Sequence, residues 1–114
     1  MRVCVVGLWH LGTVTAACLA SVGHDVVGLD FEPDTVAKLS AGQAPLFEPG
    51  LDALLQQGLA DGRLRFSADP DEALAGAEVV WVTYDTPVDD DDRADVTYVV
   101  ERVARLFPAL EPGA

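Results

Sequence analysis

The apolar positions of this chain fall into short runs separated by helical stretches, and the two alternate from end to end. Residues 2–6 form an apolar run behind one charge, as in a parallel strand covered on both faces. Residues 11–22 follow as a small-residue helix, ended by Gly23 at the C′ position that favours positive φ. Residues 25–29 read as a second strand. Pro33 at a first helical position and Gly42 past the end bracket a helix through Lys38 and Leu39. Pro49 opens another over residues 50–57, closed by Gly58 or Gly62. Residues 63–66 alternate polar and apolar, which predicts a shorter third strand nearer an edge. Asp69, Pro70 and Glu72 make a capping-box-like start to a helix that Gly76 stops. Residues 78–84 are the fourth strand. Asp95 then caps a helix running to about Phe107, with Pro108 and Pro112 beyond it.

This alternation implies right-handed crossovers and a parallel sheet. The expected fold is α/β: a Rossmann-like doubly wound parallel sheet, incomplete, of about four strands in the order 3-2-1-4. A full fold of this kind carries two strands more, so residues 1–114 read as one domain and as a piece of something larger. Strand 4 then becomes an open edge, apolar on both faces at Val79, Val80, Trp81 and Val82. Such an edge invites pairing with another chain, a homodimer included.

Composition narrows the partners. The formal charge of −12 argues against nucleic acid and against anionic membrane surfaces, which both call for basic protein. No apolar run approaches the roughly 20 residues of a membrane span, and the start of the chain has no signal-peptide pattern, so a cytoplasmic protein is the default. Cys4 and Cys18 have no metal-ligand neighbours and are expected to be buried as small hydrophobes. The acidic run 89–92 reads as a solvated loop rather than a metal site, because adjacent carboxylates repel and no second ligand cluster meets them.

The candidate chemistry lies between the first strand and the first helix, in Gly7, Leu8, Trp9, His10, Leu11 and Gly12. Gly7 permits a tight turn and Gly12 a close helix–sheet approach. The helix start beyond them offers free N–H groups and the positive end of the helix dipole to a pyrophosphate. Asp30 ends the second strand roughly twenty residues on, where a carboxylate can accept both ribose hydroxyls of adenosine. Its charge would repel a 2′-phosphate, so NAD is favoured over NADP. Trp9 is discordant, because the dinucleotide fingerprint G-x-G-x-x-G wants its second glycine there. The indole must swing out, cover the cofactor or block it; its bland role is to fill a notch between the turn and strand 4. His10 either donates to a phosphate or is an exposed first-turn residue.

These segments resemble the N-terminal part of the UDP-glucose/GDP-mannose (nucleotide-sugar) 6-dehydrogenases. The resemblance rests on residues 7–12, on 23–30, on 45–51 with their Glu-Pro-Gly-Leu, on 62–66, on Thr86 and Pro87, and on residues 94–99. It implies an NAD domain in which Gly7–Gly12 hold the pyrophosphate and Asp30 the ribose, while Tyr84, Asp85, Thr86 and Pro87 line the cofactor. The family oxidises the sugar C6 alcohol to a carboxylate with NAD in two steps. Its catalytic cysteine, lysine and asparagine lie in later parts with no counterpart here, so this chain alone is expected not to turn over. A nucleotide sugar is then met only through central and C-terminal domains that these residues lack. Three positions depart from the family: Trp9, Thr35 where many members carry a cation that reaches the cofactor, and Asp85 where a small or amide residue is common. Each is expected to weaken NAD binding, and the alternative is a non-catalytic interaction module that has lost it. A methyltransferase fits less well, since it leaves the Glu-Pro-Gly-Leu and Thr-Pro segments unexplained.

Overall fold

The computed structural model describes residues 1–46, 48–84, 91 and 96–114. Strands β1 (Arg2–Val6), β2 (Asp25–Leu29), β3 (Leu64–Ser67) and β4 (Val79–Val82) form one sheet, all parallel, in the order β3-β2-β1-β4. The α/β class, the parallel pairing and the strand order expected from the sequence are all present. Val5 of β1 lies opposite Gly28 on one side and Trp81 on the other.

Because side chains alternate along each strand, β1 feeds two cores. Val3 and Val5 face α1 (His10–Ser21) and α3 (Leu51–Ala60), meeting Ala16, Ala20 and Leu55. Cys4 and Val6 face the other way, toward α4 (Pro70–Leu74) and the 3-10 turn Phe107–Ala109, meeting Leu74 and Leu106. Alanines on the buried face of α1 keep its axis close to the sheet. Gly58 extends this economy to α3: a Cβ there would stand 2.9 Å from the Leu64 Cβ. It therefore lies inside α3 as a packing residue instead of closing the helix, and Gly62 follows the end with φ +73°.

Other boundaries move for local reasons. Helix α1 begins at His10 and ends at Ser21, one residue earlier at each end than the sequence pattern suggested. β3 starts and ends one residue later than expected. β4 is shorter than residues 78–84, although Glu78 N–H and Thr83 N–H still donate to Arg2 and Val6 carbonyls just beyond its ends. Asp69 caps α4 by accepting from Asp71 N–H at 3.0 Å, one residue before the partner a capping box would use. Helix α2 (Pro33–Ser40) has Pro33 in its first turn as expected. Helix α5 (Val96–Ala104) stops before Phe107, and Pro108 enters the 3-10 turn; its expected cap, Asp95, lies outside the described residues.

Two expectations about burial divide. Cys4 is buried, which pushes its thiol up to about 12. Cys18 is exposed, because it falls on the face of α1 turned away from the sheet, so the expectation that both cysteines are buried is corrected. Strand β4 does lie at a sheet edge, with Trp81, opposite Val5, 48% exposed. Among the described residues no helix is long and apolar enough to cross a membrane, and no three His, Cys, Asp or Glu side chains gather as a metal site. Of the acidic run only Asp91 is described.

Among the glycines, Gly12 is the most tightly placed. A Cβ there would stand 1.8 Å from the Gly7 carbonyl oxygen and 2.6 Å from the Thr83 hydroxyl. Neither group can retreat without breaking the turn, so Gly12→Ala should lower unfolding stability by about 3 kcal/mol or more. Gly62→Ala meets no atom and should lose only the about 1–2 kcal/mol of a left-handed alanine. Urea unfolding of both variants measures the difference.

Candidate functional site

Three chain segments meet where β1, β2 and β4 end. Gly7, with φ +93°, turns the chain out of β1 and donates its N–H to Leu29 O at 2.9 Å. The ring of Tyr84 lies so close that a Cβ on Gly7 would stand 2.9 Å from its Cδ1. Buried Thr83 clasps the turn: its hydroxyl reaches Gly7 O at 2.7 Å and Val6 O at 2.9 Å, sharing one proton between two carbonyls. The sequence reading passed over Thr83, whose only signal was a hydroxyl at the end of an apolar strand.

Asp30 holds the turn from the other side. Its Oδ2 accepts from Leu8 N–H at 2.9 Å and its Oδ1 from Glu32 N–H at 2.9 Å. Both oxygens are thus engaged by backbone, yet a carboxylate has about four acceptor sites and keeps two for a ligand. The same side chain shapes the glycine turn, starts α2, and faces the cavity these segments enclose.

That cavity has a volume of about 460 Å³, with Gly7, Trp9, Asp30, Tyr84, Tyr98 and Arg102 among its lining residues. Helix α5 supplies one wall. Tyr98 meets Tyr84 edge-on, ring centroids 6.2 Å apart at 88°, and the Arg102 guanidinium lies 3.4 Å over the Tyr98 ring. Arg105, the residue after α5, covers the ring of Phe31, just beyond β2, at 3.8 Å. Tyr98 and Arg102 were missed in the sequence; the only available signal was their i, i+4 spacing on a helix.

The cavity opens on an uncapped helix. The N-cap of α1 is Trp9, no side chain caps it, and its first turn holds no acidic residue in a chain with 19 of them. The leading N–H groups of α1 therefore remain for an anion. Trp9 has φ −84° and ψ −154°, an extended conformation open to any residue. Its side chain is half exposed and lines both this cavity and a smaller one of about 270 Å³, which holds Thr35 and Lys38. Trp9 shares the smaller cavity with residues of α2, and the Tyr84 ring packs against Gly7 beside strand 4.

The other expected positions separate. Leu8 is buried in the core, and Leu11 is exposed. His10 is neither a fully exposed residue nor turned to the cavity: its Nε2 lies 3.4 Å from Glu48 Oε2, which joins α1 to the loop before α3. Thr35 is not brought to Asp30. Asp85, Thr86 and Pro87 lie outside the described residues.

A sheet of this order, a tight glycine turn, an uncapped helix and an acid at the end of β2 define a dinucleotide-binding α/β domain. Its cradle fits such a ligand, since a Cβ at either glycine would meet neighbouring atoms and the Tyr84 hydroxyl is buried without a hydrogen-bond partner among the described residues. The sequence profile of the UDP-glucose/GDP-mannose dehydrogenase family, NAD binding domain, matches residues 1–113, and the chain belongs to that family. The cofactor of the domain is NAD. UDP-glucose 6-dehydrogenase of Pseudomonas aeruginosa is 42% identical over 110 residues, 96% of this chain and 24% of that protein. The solved GDP-mannose dehydrogenase of the same organism superposes with a TM-score of 0.90 at 34% identity, over 96% of this chain and 25% of its own. The UDP-D-ManNAc dehydrogenase of Pyrococcus horikoshii does so with a TM-score of 0.91 at 32% identity, over 100% and 27%. The chain thus spans about a quarter of the length of these relatives.

Burial first, and the Asp30 charge second, push the Tyr84 phenol from 10.0 up to about 12. The fold favours the neutral phenol. Its contribution to stability is therefore whole below pH 10.0 and is lost as pH rises toward about 12. The tyrosinate absorbance of the folded chain should show a late phase that Tyr84→Phe removes. That variant should also lose less stability than the parent across the same interval.

Proposed function

We propose that this chain is the NAD-holding part of a nucleotide-sugar 6-dehydrogenase, a cytoplasmic oxidoreductase that converts a sugar C6 alcohol to a carboxylate for polysaccharide building. One observation carries the reading: the uncapped start of α1 and the Asp30 carboxylate open on the same cavity. The N–H groups from Trp9 to Gly12 hold the pyrophosphate, and the free acceptor sites of Asp30 take the adenosine ribose. Asp30 and Glu32 together repel a 2′-phosphate, which selects NAD over NADP. Tyr84, with Asp85, Thr86 and Pro87 after it, lines the cofactor at the end of β4, where the Tyr84 hydroxyl, unpartnered among the described residues, finds an acceptor on it. Trp9 closes the rim, and Thr35 takes the place of a cation that would reach the cofactor. NAD supplies the acceptor for the hydride leaving the sugar C6. The chain's own residues bind and orient it. The nucleophile and sugar site belong to further domains, and no turnover of UDP-glucose is expected from these residues alone.

Tryptophan fluorescence tests this directly. NAD should quench saturably at micromolar to low-millimolar concentration, and NADP should bind at least about tenfold more weakly. Trp81 lies on β4 and does not line the cavity, so the quench should vanish in Trp9→Phe and persist in Trp81→Phe. A silent titration would sink the reading in favour of an interaction module. Trp9→Gly, measured by calorimetry, should tighten NAD; unchanged or weaker affinity would make the indole part of the site.

The open edge of β4, with Val79, Trp81 and Val82 each more than a third exposed, supports pairing of that edge with a second copy of the chain. Sedimentation should then show a concentration-dependent dimer that Trp81→Lys weakens.

A further inference from the structure

A second cavity, of about 230 Å³, opens at the amino ends of the strands, on the opposite end of the sheet from the glycine turn. Val27, Ala73 and Ala77 line it on the Cys4 face of the sheet, and the exposed side chains of Arg2, Arg63 and Arg65 surround it. The whole chain has seven basic residues against nineteen acidic ones, and three of the seven gather here. Asp25 is the one carboxylate among the lining residues.

Two of these arginines are placed by the backbone. Arg63 Nη1 donates to Gly23 O at 2.8 Å and lies 3.8 Å from Asp25 Oδ1. Arg2 lies across Gly76, which has φ +73°, and a Cβ there would stand 2.6 Å from Arg2 Nη1. The left-handed glycine thus leaves the room that the guanidinium fills. Arg65 lies opposite Val27 in the parallel register, on the face of the sheet that Arg2 and Cys4 share by alternation. Among the described residues, no hydrogen bond or ion pair engages the guanidinium of Arg2 or of Arg65.

Guanidinium donors without acceptors, gathered round one cavity, select an anion rich in oxygen atoms. The geometry points to a phosphoryl-anion site: Arg2, Arg63 and Arg65 bind a phosphate- or pyrophosphate-bearing small molecule at the amino ends of β1 and β3. Asp25 opposes the anion and limits its affinity. The site is separate from the cavity at Asp30 and stands whether or not that cavity binds NAD.

Inorganic pyrophosphate, titrated into the full chain at low ionic strength and followed by phosphorus NMR, tests the assignment. Saturable binding is expected with a dissociation constant below about 1 mM. Arg2→Gln combined with Arg65→Gln should weaken it about tenfold or more. Asp25→Asn should tighten it severalfold, and this variant, which keeps every arginine, decides the matter if the double variant does not fold. Pyrophosphate also suits the start of α1, so the titration is repeated with NAD present. A signal that NAD displaces and the arginine changes leave intact overturns the proposal. So does a lack of saturation up to about 10 mM, or an Asp25→Asn variant that binds no more tightly than the parent.

Discussion

The contact of Gly12 with the carbonyl of Gly7 sets the distance between α1 and the sheet, and most of the functional end of the molecule follows from that distance. With no side chain between them, the first turn of the helix settles against the turn that leads into it. The Thr83 hydroxyl then reaches the same carbonyl from β4, so three elements far apart in the chain converge on a single oxygen atom. Proximity alone does not make a binding site. It becomes one because the helix is left uncapped and its dipole points into a space that the neighbouring elements wall off.

Asp30 combines construction with a carboxylate that stays open to the cavity. Its two backbone hydrogen bonds fix the glycine turn and the start of α2, which orients the carboxylate before any ligand arrives. Such pre-organisation reduces the ordering that binding would otherwise require. The opposite wall is built by other means: the Arg102 guanidinium and the Tyr84 and Tyr98 rings stack on one another, and Arg105, just past α5, covers Phe31. One wall is rigid and polar, and the other is held by softer contacts.

Strand order and the glycine turn were legible in the sequence because both follow from local rules: apolar runs, helix stops, and an acid at a set remove. Their boundaries slipped by a residue or so where ladder hydrogen bonds, rather than composition, decide the end of an element. Gly58 misled because a glycine reads as a stop, while here it makes room for Leu64. Cys18 misled because small residues all round α1 hide which of its faces is buried. Thr83, Tyr98 and Arg102 were invisible for a different reason. Their roles exist only once β4 and α5 have been folded back over the first turn, and no spacing along the chain announces that contact.

The backbone at Trp9 changes the meaning of an imperfect fingerprint. A glycine is obligatory at Gly7, where φ is positive, and at Gly12, where any side chain strikes the turn. At Trp9 the backbone is ordinary and the side chain stands at an open rim. Folding therefore places no demand on that position, and only a ligand's need for space can. A protein of this shape is free to exchange bulk at residue 9 for a different grip on its ligand without disturbing its architecture, so that position offers evolution a dial for affinity that is uncoupled from foldedness.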